Sequence, residues 1–140
     1  MQIVNPATQA AIKEVPEDNA GSVNAKFERA KLAQVEWAQE GMDVRLEAIK
    51  RFHEYLERDR DRLAQDLSQE VGKPIQEAIN EVNGARSRVR FFLENSKKWL
   101  LETKVNQDGN TAEAMAFDPL GVVCNISAWN YPFLVGVNVF

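Results

Sequence analysis

The chain has 140 residues, 44% of them hydrophobic and 27% charged, with a formal net charge of −4. That length and apolar content are enough for one domain with a core, and the acidic balance argues against a nucleic-acid-binding face. A single cysteine excludes an internal disulfide and suits a cytoplasmic protein, no apolar run is long enough to span a bilayer, and Met1–Pro6 lacks the basic and apolar regions of a secretory signal.

Residues 1–18 carry Pro6 and Pro16 around Ile12-Lys13-Glu14-Val15 and read as two short strands or an extended arm. Ser22 then suits the N-cap of a helix running to about Glu40. Val23, Phe27, Ala30, Gln34, Trp37 and Ala38 fall on one face of it, and Gly41 ends it. Asp43 caps a second helix to about Arg58, with Val44, Ala48, Phe52 and Leu56 at i+4 steps and Ile49 beside them. Asp59 or Asp61 opens a third, on which Leu63, Leu67 and Val71 repeat. Gly72 stops it, and Pro74 suits the first turn of the next.

The fourth helix is the longest, from about Pro74 to Leu100. Ile75, Ala78, Ile79, Val82, Ala85, Val89, Phe92 and Leu93 form a stripe wide enough to face a core. Glu77 and Glu81 sit early, and Arg86, Arg88, Arg90, Lys97 and Lys98 sit late, which complements the helix dipole. Asn106-Gln107-Asp108-Gly109-Asn110 is a turn signal that joins Thr103–Val105 to Ala112–Phe117 as a hairpin. Val122, Val123, Cys124 and Ile126 suit a buried strand. Phe133, Leu134, Val137 and Phe140 suit a following helix. Val135 to Phe140 read as the middle of an element, with no polar cap or glycine stop following them, so the chain reads as the N-terminal part of a larger protein.

The strand closes in Trp129-Asn130-Tyr131-Pro132, an unusual end. Asn is a poor strand residue, and Pro cannot donate to a ladder. The chain must turn there and leave an amide at the C-terminal end of a strand, which is where open α/β sheets bind ligands. A side-chain amide offers two neutral hydrogen-bond donors and can hold charge developing on a carbonyl oxygen. An Asn satisfying its own turn is the other reading.

Other candidates are weaker. Cys124 lies in the apolar run with no His, Lys or Arg adjacent to activate it, so it reads as a small buried hydrophobe rather than a nucleophile. His53 sits on a charged helix beside Glu54 and Glu57 without partners for a metal site. Gly72-Lys73-Pro74 lacks the glycine spacing and the Ser or Thr of a phosphate loop. Arg86, Arg88 and Arg90 point to different sides of a helix and read as a solvated face.

The run Pro119–Pro132, PLGVVCNISAWNYP, resembles the Pro-Leu-Gly-Val-Val … Pro-Trp-Asn-aromatic-Pro signature of the aldehyde dehydrogenase superfamily, with Ala128 where that family usually has Pro. Glu70-Val71-Gly72-Lys73-Pro74 with Glu77-Ala78 resembles a second family segment. Asn5-Pro6-Ala7-Thr8 with Ile12 and Val15-Pro16 resembles a third. The three occur in the family's order and span nearly the whole chain.

The resemblance implies an α/β fold class: the helix-rich N-terminal part of a Rossmann-like cofactor-binding domain, with a β-hairpin belonging to an oligomerisation sheet. Residues 1–102 would be the arm and helices, 103–118 the hairpin, and 119–140 the first strand and following helix. It implies NAD(P)-dependent oxidation of an aldehyde to a carboxylate through a Cys thioester, with NAD or NADP as cofactor and a homo-dimer or homo-tetramer as the assembly. Asn130 matches the family's oxyanion-stabilising Asn. Ile126, Ser127, Ala128 and Trp129 match the segment lining the cofactor, although core packing would equally suit Ile126 and Trp129. Tyr131 and Leu134 match positions lining the substrate tunnel, although Tyr131 would equally suit interdomain packing. The family's Cys nucleophile and Glu base lie in later segments, so these residues alone are expected to be catalytically silent. A non-catalytic helical interaction module, or acylating or reductive chemistry on the same scaffold, are the alternatives.

Overall fold

A computed structural model of the chain describes residues 1–139, and its first element is a hairpin. Strands β1 (Gln2–Val4) and β2 (Ala11–Glu14) pair antiparallel, Gln2 opposite Glu14 and Ile3 opposite Lys13. Asn5 organises the connection: its Oδ1 accepts the backbone N–H groups of Ala7 and Thr8 at 2.9 and 3.1 Å. Such a turn is what a short polar side chain before Pro favours.

Helix α1 (Ala20–Gln39) begins earlier than expected, because Asn19 rather than Ser22 is its N-cap. Asn19 Oδ1 accepts from the Ser22 N–H at 3.0 Å, and Ser22 Oγ accepts from the Asn19 N–H at 2.9 Å. Ser22 is therefore the other half of a reciprocal capping box. The apolar face of α1 is not buried: Val23, Phe27 and Trp37 stay exposed, and the helix has no buried residue. A stripe earns burial only where another element meets it. This one instead lines an open cleft of about 600 Å³ with Gly121, Val122 and Val123.

Helices α2 (Met42–Arg58), α3 (Arg60–Val71) and α4 (Ile75–Leu100) form the packed body. Gly41 is the N-cap of α2 rather than the stop of α1, and Asp43 lies in the first turn, where its carboxylate meets Lys97 Nζ at 2.7 Å. Leu56 of α2 packs with Ala85 and Val89 of α4, and Ala64 and Leu67 of α3 pack with Ala78 and Val82. Fully burying a Leu or Val side chain contributes about 1.5–3 kcal/mol. The steps from 78 to 82, 85 and 89 put all four α4 residues on one face.

Gly72 ends α3 in the left-handed region, at φ 77°, with its N–H bonded to Ser68 O at 3.0 Å. A Cβ there would also lie 2.7 Å from Pro6 Cγ, so backbone shape and the close approach of the N-terminal hairpin both require glycine. Pro74 stands at the N-cap of α4.

Strands β3 (Thr103–Asp108) and β4 (Thr111–Met115) form a second antiparallel hairpin around Gly109 and Asn110, exposed along its whole length. β3 runs further than the sequence suggested and β4 stops before Phe117. The expected buried strand from Val122 is not formed. Residues 119–128 carry no strand pairing, Val122 and Val123 are exposed, and Ile126 is 88% exposed. A strand exists only with a neighbour to take its N–H and C=O groups, and no described residue pairs with this segment. Helix α5 (Pro132–Gly136) follows and is short. Val137 beyond it joins the α2–α4 core, and Phe133 packs against both clusters. Phe140, placed by the sequence on this helix, lies outside the described residues.

Candidate functional site

The segment from Asn125 to Leu134 is held in place although it forms no sheet. Asn125 Nδ2 donates to Gly136 O at 2.9 Å, and Ser127 Oγ donates to Pro132 O at 2.7 Å. Both tie the extended stretch back onto α5. The chain reverses between them: Tyr131 N–H donates to Ala128 O at 3.3 Å, which puts Trp129 and Asn130 at the tip of the turn. Pro132 at the start of α5 has no N–H to lose there.

Two residues from elsewhere hold this turn. Lys73, between Gly72 and Pro74, donates from Nζ to the backbone oxygen of Asn130 at 2.6 Å. The same ammonium pairs with Glu81 Oε2 and lies 3.8 Å from the centroid of the Tyr131 ring. Glu81 Oε1 accepts the N–H of Phe133 at 2.9 Å and of Leu134 at 3.3 Å. It thus caps α5 in place of Tyr131, which supplies no side-chain cap. The pair is removed from water, with side-chain exposures of 9% for Lys73 and 0% for Glu81. Ser68 Oγ donates to Lys73 O at 2.8 Å and fixes the backbone from which the lysine reaches.

An ammonium with two oxygen acceptors and an aromatic face, and a carboxylate with three donors, are both well supplied with partners. That is the condition for burying charge at acceptable cost. The sequence reading missed this pair: it considered Lys73 only within a segment that is not a phosphate loop, and Glu81 only as an acid that complements the dipole of α4. A signal was present: Glu81 lies three residues after Ala78 and four before Ala85, on the buried face of α4.

The structure separates the site residues expected from sequence into two groups. Asn130 is exposed, its backbone is held by Lys73, and its side-chain amide makes no hydrogen bond among the described residues. Ile126 and Trp129 are turned outward, 88% and 77% exposed, so neither is a core side chain here. Ser127 is half-buried with its hydroxyl committed to Pro132, and Ala128 is exposed. Tyr131 covers the Lys73 ammonium. Leu134 is half-buried against Gly84, where it borders a shallow cleft with Ser87, Arg88 and Phe91.

Cys124 is exposed rather than buried, because the strand that would bury it is not formed. His53 is half-buried, beside a small polar recess with Asn83, Arg86, Ser87 and Arg90. Arg86 is not part of a freely solvated face: it is bound to Glu57 at 2.6 Å and its side chain is 23% exposed. Among the described residues, no group of three or more His, Cys, Asp or Glu is arranged to hold a metal, and no helix is long and apolar enough to cross a membrane. Three surface carboxyls, Asp18, Asp59 and Asp61, are held below the usual aspartate range. The largest cause is a hydrogen bond from Lys26, Arg58 and Arg60 respectively. None of them touches the turn.

A model of the aldehyde dehydrogenase family matches residues 1–139. A succinate-semialdehyde dehydrogenase [NADP(+)] of Deinococcus radiodurans is 33% identical over 129 residues, which cover 92% of this chain and 27% of that protein. A non-phosphorylating aspartate-semialdehyde dehydrogenase of Halomonas elongata is 30% identical over 130 residues, covering 93% of this chain and 26% of that one. The chain therefore spans about a quarter of the length of the curated relatives it matches. The crystal structure of an NADP-dependent glyceraldehyde-3-phosphate dehydrogenase from Bacillus halodurans, complexed with NADP, superposes with a TM-score of 0.89 at 25% identity, covering 98% of this chain and 30% of that one. The fold is that of the helix-rich N-terminal part of the Rossmann-like domain in such structures. With the family model matched along residues 1–139, this chain belongs to the aldehyde dehydrogenase family.

Proposed function

We propose that this chain supplies the oxyanion-binding turn and part of the cofactor floor of an NAD(P)-dependent enzyme that oxidises an aldehyde to a carboxylate. The observation that carries the reading is Asn130. Its amide stands at the tip of a turn whose backbone is anchored by a buried lysine, and it has no intramolecular hydrogen-bond partner among the described residues. A donor whose main chain is held in place and whose N–H groups are unspent is what stabilisation of developing charge requires. The Asn130 Nδ2 group would donate to the carbonyl oxygen of the aldehyde as a thiolate adds to its carbon. The thiolate and the water-activating base come from a part of the protein beyond these residues; Cys124, exposed and without an activating neighbour, is not the nucleophile.

The residues at 126–129 fit a nicotinamide cofactor. The backbone N–H and C=O of Ile126 and of Ser127 make no hydrogen bond among the described residues, and Ile126 and Trp129 face outward. Open backbone donors and acceptors beside apolar surface suit a ribose and a flat ring. When bound, NAD or NADP accepts the hydride. Ile126, Ser127, Ala128 and Trp129 would hold it, and Tyr131 and Leu134 would border the aldehyde. The names of the relatives, succinate- and aspartate-semialdehyde dehydrogenases, support a semialdehyde as substrate. The exposed hairpin β3–β4 supports assembly into a homo-dimer or homo-tetramer, because its free edges can pair with another copy. Residues 1–102, 103–118 and 119–140 then serve as arm and helices, oligomerisation hairpin, and cofactor-domain entry.

Turnover is tested on the full-length protein with succinate semialdehyde, aspartate semialdehyde and a neutral aldehyde, each with NAD and NADP, by absorbance of the reduced cofactor. Asn130→Ala lowers kcat about 100- to 1000-fold, as expected for loss of one oxyanion donor. An unchanged kcat in that variant sinks the assignment of Asn130. Turnover by residues 1–140 alone sinks the division of labour.

A further inference from the structure

We infer that Lys73 and Glu81 are positioning residues for the Asn130 amide: a buried ion pair that sets the aim of the oxyanion donor without touching substrate. The inference rests on the function proposed above for Asn130. Three observations carry it. Lys73 Nζ holds the main-chain oxygen of Asn130 itself, at 2.6 Å. Glu81 Oε1 holds the amides of Phe133 and Leu134, at 2.9 and 3.3 Å, so the residues after the turn are fixed by the same pair. The pair is withdrawn from solvent, which makes its geometry stiff. The turn is therefore clamped on both sides of Tyr131, whose ring also rests against the ammonium.

Core packing alone would not need these charges, since Ala78, Val82 and Ala85 on the same face already bury the α4 stripe. A hydrogen bond to a main-chain oxygen fixes where the attached side chain starts, and a displacement of about 1 Å at a reacting centre can cost about 100-fold in rate. The clamp matters most for a residue that, like Asn130, has no side-chain hydrogen bond of its own among the described residues.

The test is a double-mutant cycle on the full-length enzyme, with kcat and KM measured for the folded protein after size exclusion and circular dichroism. Lys73→Met, and the charge-free pair Lys73→Met/Glu81→Gln, lower kcat about 10- to 100-fold, while KM for aldehyde and cofactor stay within about threefold. In an Asn130→Ala background the same changes lower kcat by less than about twofold, because the donor they aim is already gone. Lys97→Met, which breaks the exposed bridge to Asp43, leaves kcat unchanged.

The charge-free pair leaves no lone buried ion, so it keeps the cycle measurable where Lys73→Met alone fails to fold. Wild-type kcat in the folded charge-free pair overturns the inference. So does an undiminished further loss in the Asn130→Ala background, which would mark a general structural role. A wild-type enzyme with no aldehyde turnover overturns the proposed function and this inference together, whereas an active wild type with an insensitive Lys73 overturns the inference alone.

Discussion

Lys73 and Asn130 are joined by a 2.6 Å hydrogen bond from a side-chain ammonium to a main-chain oxygen, across 57 positions of sequence. One end lies in the three-residue link between α3 and α4, and the other at the tip of the turn before α5. The bond turns an otherwise irregular segment into a placed one. It depends on Glu81, because a lone ammonium at 9% side-chain exposure would lack its counter-charge.

Removing the carboxylate is therefore costly. Glu81→Ala strands the Lys73 ammonium and frees the amides of Phe133 and Leu134, and lowers stability by about 3–5 kcal/mol. Glu81→Gln keeps an acceptor for the amides and costs less. Urea unfolding followed by circular dichroism measures both; equal midpoints for the two variants would show that the cap onto α5 and the charge contribute nothing separable.

Gly72→Ala places a Cβ 2.7 Å from Pro6 Cγ at a backbone φ of 77°. The left-handed conformation costs about 1 kcal/mol or more for a residue with a side chain, and the contact adds to it. Adding Pro6→Gly to Gly72→Ala relieves the contact and leaves the conformational cost. Thermal melts of the single and double variants separate the two, and a melting temperature for Gly72→Ala at or above wild type would contradict both terms.

Asn19→Ala removes the side-chain half of the capping box and costs about 1 kcal/mol. Helix α1 buries no residue, so the loss is expected locally. Amide exchange of Val23 and its neighbours speeds up, while that of Val82 and Ala85 in α4 does not change. Uniform acceleration across both helices would mean that α1 unfolds together with the body.

Asp18 is held below the ordinary aspartate pKa, first by its hydrogen bond from Lys26 and then by that from Ser22. A carboxyl whose folded pKa is depressed stabilises the fold above its unfolded pKa, and loses that contribution as pH falls through the folded value. The start of α1 is therefore expected to loosen below about pH 4. Asp18→Asn removes this pH dependence. Exchange rates at residues 20–24 between about pH 6 and pH 2.5, corrected for the intrinsic pH dependence of exchange, report it; identical profiles for wild type and Asp18→Asn would refute the linkage.

Local features were legible in the chain because they depend on near neighbours. Gly72 as a helix stop, the long α4 with acids early and bases late, and the Gly109-Asn110 hairpin turn all follow from backbone preference and i+3 or i+4 spacing, and each is found. The start of α1 was misplaced by the choice between Ser22 and Asn19. Both are good caps, and only the geometry shows that they cap reciprocally. The Pro119–Pro132 signature pointed to the family from side-chain identity alone.

The helices, the turns and the family could thus be read from near-neighbour patterns in the chain. Tertiary structure decided which apolar faces are covered and which charges are buried. The stripes on α1 and α4 look alike as periodicity, yet only α4 meets partners, so only α4 supplies core. Val122 to Ile126 have a strand's composition, but a strand is completed by hydrogen bonds from another segment, and no described residue provides them. Glu81 and Lys73 are ordinary charged residues until α3, α4 and the 129–134 turn are brought together. The cause is the same in each case: propensity and spacing act within a few residues, whereas burial, pairing and desolvation belong to contacts between segments far apart in the chain.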